Sequence, residues 1–96
     1  LAAQSVLNLG HSSLLLHDLS MAKQHYEEAL HQARDLSMQP RITEARLGLA
    51  HVDAHGGDRQ PLEGLTEELY GQTLDIDVRQ MQWYLDSHLE KTLRTS

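Results

Sequence analysis

The residues of this chain best suited to chemistry are its seven histidines: His11, His17, His25, His31, His51, His55 and His88. His51 and His55 stand four apart, which on a helix puts both imidazoles on one face, where they could share a metal ion. His11 would approach them if its helix stacked alongside. Val52 follows His51, where a zinc-protease helix needs a glutamate. Cysteine is absent, which removes thiolate zinc sites, disulfides and cysteine nucleophiles together. We therefore read the histidines as surface or groove residues, with no metal or other cofactor. The alternative is a groove that changes charge with pH, since imidazole titrates near pH ~6.5.

Other reactive letters fare no better. Ser12, Ser13, His17 and Asp18 contain the members of a catalytic triad, but neighbours along one helix do not converge as a triad must. Glu27-Glu28 recurs as Glu67-Glu68, 40 residues on. Recurrence at a structural period marks solvated helix faces rather than an acid/base pair. Gly56-Gly57 reads as a helix-ending turn, and no glycine-rich phosphate loop is present. No enzyme activity is expected.

The elements that position these groups follow from composition and periodicity. Ninety-six residues allow one modest core. Phenylalanine is absent and only Tyr26, Tyr70, Trp83 and Tyr84 are aromatic, so aliphatic side chains must fill that core. A net charge of −6 disfavours direct nucleic-acid binding. No apolar run approaches the ~20 residues a membrane span needs, and no signal-peptide pattern opens the chain. The lack of cysteine suits a reducing compartment, and a cytoplasmic location is expected. The chain begins at Leu1 and reads as part of a longer protein.

Five helices are predicted, at about residues 2–16, 19–36, 40–54, 59–74 and 78–93. The clearest apolar stripe is Ala22, Tyr26, Ala29, Leu30, Ala33 and Leu36, in steps of three and four. Leu62, Leu65, Leu69, Tyr70 and Thr73 repeat it in the fourth helix. Asp18 and Asp58 sit where helix N-caps belong, and Pro40 and Pro61 suit first turns. Asp77 and Gln80 have capping-box spacing. Leu9-Gly10-His11 recurs as Leu49-Ala50-His51, so the chain echoes itself at 40 residues. Such a period marks a stacked helical array, and arrays mostly present surfaces to partners.

In the first unit, Val6, Leu9-Gly10, Ser13, Ala22, Tyr26 and Ala29 fall at offsets that resemble a tetratricopeptide repeat. The second reads Arg46, Leu49-Ala50, Asp53, Leu62, Thr66 and Leu69, in the same register. The chain departs from the family where Ser13 and Asp53 replace an aromatic, and where the period is 40 rather than ~34. The longer repeat is similar to those of maltose-activator-type, LuxR-like bacterial regulators and kinesin-light-chain-like adaptors. The resemblance covers about residues 1–76. It implies an all-α right-handed superhelix, with one repeat at 1–36, a second at 37–76, and a capping helix or half repeat at 77–96.

The resemblance also implies a concave groove lined by the first helix of each hairpin. Carried over residue by residue, it is formed by Gln4, Leu7, His11, Leu14 and Leu15, then Glu44, Leu47, His51, Ala54 and His55. The function it implies is binding of a protein or peptide within a larger regulatory protein, such as a transcriptional regulator. Two other readings stand beside it: a pocket for a small effector, and an oligomerising segment. Trp83 points away from the Val78, Met81, Leu85, His88, Leu89 and Thr92 stripe of the last helix. It is expected to be covered by a further repeat or by a second copy of the chain. The echo fails after Ile76, since Gly10 and Ala50 map onto Glu90, and the array is expected to end or meet its partner there.

Overall fold

A computed structural model describes residues 2–95; Leu1 and Ser96, the outer ends of the first and last expected segments, lie outside them. The fold is all-α, with α1 at Ala3–Leu15, α2 at Leu19–Asp35, α3 at Gln39–His55, α4 at Gln60–Leu69 and α5 at Ile76–Thr95. No strand occurs among the described residues. No helix among them is long and apolar enough to cross a membrane.

The first three helices end in the same way. His17, Ser37 and Gly57 each have positive φ, at 62°, 53° and 104°. The His17 amide donates to the Leu14 carbonyl and the Asp18 amide to that of Ser13, at 3.0 and 2.8 Å. Ser37 and Met38 repeat this pair of bonds with Arg34 and Ala33, and Gly57 and Asp58 repeat it with Ala54 and Asp53. This is the Schellman turn, which satisfies the last helical carbonyls through one left-handed residue. Beneath the 40-residue echo lies a helix-and-turn unit of half that length. Only the third of these turns places glycine at the left-handed position. Ser37→Gly should therefore stabilise the protein by about 1 kcal/mol and raise its Tm by about 4–8 °C in a calorimetric scan.

Helix starts follow the expected chemistry. Asp18 accepts a hydrogen bond from the Met21 amide at 3.2 Å. Asp58 accepts one from the Gln60 amide at 3.2 Å, but as a turn one residue ahead of the helix: Arg59, not the expected Asp58, is the N-cap of α4. Pro40 and Pro61 lie in the first turns of α3 and α4. Two boundaries differ from the expectation. The fourth helix stops at Leu69 rather than near residue 74, because Tyr70 is extended and Gly71 has a φ of 80°. Tyr70 is consequently 89 % exposed and lies off the apolar stripe. Thr73 falls in the loop. The fifth helix begins at Ile76, so Asp77 lies within its first turn and does not act as a cap; there its charge opposes the helix dipole favourably.

The core forms two clusters. The first joins Val6, Leu7 and Leu14 of α1 to Ala22, Tyr26 and Ala29 of α2, Ala45 and Val52 of α3, and Leu85 of α5. The second joins Leu47, Ala50 and Ala54 of α3 to Leu62, Leu65 and Leu69 of α4, and Val78 and Leu89 of α5. Helices α1, α2 and α3 pack in sequence. Helices α4 and α5 both lean on α3 but scarcely touch each other. Through Leu85, α5 also reaches across to the core residues of α1.

Candidate functional site

The ten residues expected to line an open groove do not form one continuous surface. Leu7, Leu14, Leu47 and Ala54 are buried in the two core clusters, which include residues of α5. His11, Glu44 and His51 are also buried, and His55 is half-buried. Gln4 and Leu15 remain exposed. What is left open on this side is a depression of about 400 Å³, where Gln4, Arg41 and Glu44 face Gln80, Met81 and Tyr84 of α5.

Beneath it runs a buried polar relay from three helices. The Tyr26 hydroxyl lies 2.6 Å from His11 Nδ1. His11 Nε2 lies 2.9 Å from Glu44 Oε2, and Arg41 donates to Glu44 Oε1 at 3.0 Å. Arg41 also donates to Gln4. The assignment that satisfies every group has Tyr26 donating to Nδ1 while Nε2–H donates to the carboxylate. Burial, reinforced by the nearby Glu44 carboxylate, pushes the Tyr26 phenol well above its usual range. Hydroxyl, imidazole and carboxylate in line have the composition of a catalytic relay, yet Tyr26 is fully buried, so no substrate reaches the hydroxyl. The relay ties α1, α2 and α3 together.

The histidines gather at the other end of α3. The ring of His55 lies 5.7 Å from that of His17 and 5.2 Å from that of His88, centroid to centroid. His51 Nε2 is 3.1 Å from Asp86 Oδ1, a separation suited to an ion pair but not aligned as a hydrogen bond. Among the described residues, neither nitrogen of His51 or of His55 has a hydrogen-bond partner. No three His, Asp or Glu side chains among them group as a metal ion would require. Burial lowers the His55 pKa to about 4, aided by the neighbouring imidazoles of His88, His17 and His51.

The sign of the linkage follows. Unfolded His55 takes up a proton near pH ~6.5, whereas folded His55 resists until about pH 4, so stability falls as pH drops through that window. The loss should be on the order of 1 kcal/mol once solvent screening is allowed for. Melting curves from pH 7 to pH 4 should show a shallower decline in His55→Gln than in the parent. An unchanged pH dependence would mean that His55 is solvated in the folded state.

A third feature lies between α4 and α5. A cavity of about 360 Å³ is bounded by Leu62, Glu63, Thr66, Glu67 and Tyr70 on one side and Asp86 on the other. A second, of about 270 Å³, shares Thr66 and Tyr70 and adds Leu74, Arg79 and Gln82. Arg79, Gln82 and Asp86 recur at helical spacing on one face of α5, so the two cavities form one open trough. Glu68 points elsewhere, accepting two bonds from Arg46 at 2.7 and 3.1 Å. That pairing holds the Glu68 carboxylate below its usual pKa. Of the recurrent Glu67-Glu68 pair, read from sequence as plain surface, one member thus pins α4 to α3 and the other borders the trough. The available signal was Gly71, which shortens α4 and opens the trough's far end.

Trp83 lies on the outer face of α5, 72 % exposed beside Tyr84. A shallow depression of about 500 Å³ is bounded by these two residues with Arg79 and Gln80. No family model, curated protein sequence or solved structure matches this chain.

Proposed function

We propose that this chain is a protein-interaction module of a larger regulatory or signalling protein, a cytoplasmic tetratricopeptide-like array whose partner docks in the trough between α4 and α5. The observation that carries this reading is the splay of those two helices. Both pack on α3 and share a buried apolar cluster with it, but beyond that cluster their facing sides border two adjoining open cavities. In a helical array, such a place receives another helix or an extended segment. The concave side is less available, since α5 shares core clusters with Leu7, Leu14, Leu47 and Ala54. A small-molecule effector site would call for an enclosed pocket, and the trough lies open. The relay's hydroxyl, on Tyr26, is fully buried and out of a substrate's reach.

Thr66 borders both cavities, and its side chain faces solvent. Thr66→Trp should fill the trough and leave the core intact. Peptides selected from a phage-displayed random library on the parent protein should lose binding to Thr66→Trp by at least about tenfold, while its far-UV spectrum and Tm stay unchanged. Selected peptides that bind the variant as tightly as the parent would place the docking surface elsewhere. A second reading, self-association, rests on the exposure of Trp83. It requires a concentration-dependent mass in sedimentation that Trp83→Lys abolishes.

A further inference from the structure

We infer that the partner segment is a basic amphipathic helix, an inference that rests on the trough being the docking surface. Three observations lead to it. The trough is walled by two helices, and α4, ten residues long, gives it a length of about 15 Å. That accommodates two to three turns of a guest helix, whose side chains at i, i+3, i+4 and i+7 would enter together. Its interior is apolar, with Leu62 and Leu69 almost buried, Leu74 half-buried and Tyr70 standing at the edge.

The rim supplies the charge. Glu63 and Glu67 stand one turn apart on α4, and neither forms an ion pair among the described residues. Asp86 faces them from α5, its carboxylate 3.1 Å from the buried His51 Nε2. Two arginines share the rim: Arg59 at the head of α4 borders the first cavity, and Arg79, which donates to the Gln72 carbonyl at 3.2 Å, borders the second. Three carboxylates against two guanidinium groups leave the rim with a net negative charge, and Glu63, Glu67 and Asp86 are exposed between the two arginines. A guest with lysines or arginines flanking its apolar stripe matches it, and an acidic guest meets like charge. The chain's overall charge of −6 draws such a guest in from a distance.

The test uses three stapled helical peptides of about twelve residues. They share one leucine stripe, flanked by lysines, by glutamines or by glutamates. Affinity for the parent, measured by fluorescence anisotropy, should fall in that order. The lysine peptide should bind about tenfold tighter than the glutamate one at low salt, and the gap should close at high salt. In the double variant Glu63→Lys and Glu67→Lys the order should invert. Equal affinities for the lysine and glutamine peptides, both lost in Thr66→Trp, would overturn the basic guest and leave the trough as the docking surface. If binding of all three is indifferent to Thr66→Trp, the trough itself is not the site. An unchanged order in the charge-reversed variant would overturn the role of the acidic rim.

Discussion

Gly48→Ala should destabilise this protein by about 3 kcal/mol and lower its Tm by roughly 12–24 °C, although alanine is the better helix former. The ring of Tyr26 lies flat between two glycines. A Cβ at Gly48 would lie 2.3 Å from Tyr26 Cε1, and one at Gly10 would lie 2.8 Å from the same atom. Carbon atoms in contact need about 3.5–4.0 Å, so the ring would have to move. It has little room to do so, since Gly10 backs it and the hydroxyl is held by His11. The propensity gain of about 1 kcal/mol is outweighed by the cost of overpacking a buried aromatic. Gly64 is the control. It is helical and exposed, and nothing lies within 4 Å of a Cβ placed there. Gly64→Ala should raise the Tm by about 4–8 °C through propensity alone. Opposite signs for the same substitution at two helical glycines would locate the close approach of α2 and α3. A neutral Gly48→Ala would contradict it.

Glu44→Ala should cost about 3–5 kcal/mol, a large part of the whole stability of a domain this size. Glu44 is nearly fully buried and holds two donors, His11 and Arg41, at 2.9 and 3.0 Å. Removing the carboxylate leaves the arginine, whose side chain is only 12 % exposed, with the neutral Gln4 in place of an ion pair, and strands one nitrogen of a buried imidazole. Urea denaturation should show a lower midpoint with an unchanged slope. Glu44→Gln keeps one acceptor and should lose less. A quadruple replacement with apolar residues, His11→Leu with Tyr26→Phe, Arg41→Met and Glu44→Leu, should recover much of the loss, because a stranded charge costs more than an absent pair. A cost below about 1 kcal/mol for Glu44→Ala would mean that water reaches the relay.

How much of this was legible in the sequence depends on whether the signal was local. The Tyr26 stripe from Ala22 to Ala33, the Asp18 cap and the proline starts are encoded within a few residues, and the structure places them as expected; Leu36, the stripe's last member, instead lies exposed just past the end of α2. Gly10 is marked by its recurrence as the small Ala50, but Gly48 is not, since a lone glycine inside a helix carries no sign of what lies opposite. His11 and Glu44 were both singled out as groove residues. Their pairing depends on how α1 crosses α3, which periodicity does not specify. The end of α4 was signalled by Tyr70-Gly71, yet the apolar stripe seemed to run on through Tyr70 and Thr73. The histidine cluster and the trough arise from where α5 lies across α3. That placement reflects the balance between two clusters holding Leu85 on one side and Val78 and Leu89 on the other.

These elements divide the molecule by role. The relay and the Tyr26 seat tie α1, α2 and α3 together, and α4 and α5 rest on α3 with an open trough along part of their facing sides. A docking segment that enters between them meets preformed walls and loses little to ordering the host. Backbone amide mapping by NMR tests this most directly. On titration with the lysine-flanked helix, the largest shift changes should fall on residues 62–69 of α4, Tyr70 just beyond it and residues 79–86 of α5, leaving the relay residues Tyr26 and Glu44 nearly still. Changes centred instead on Gln4, Leu15 and Arg41, or spread evenly over the chain, would contradict the trough as the functional surface.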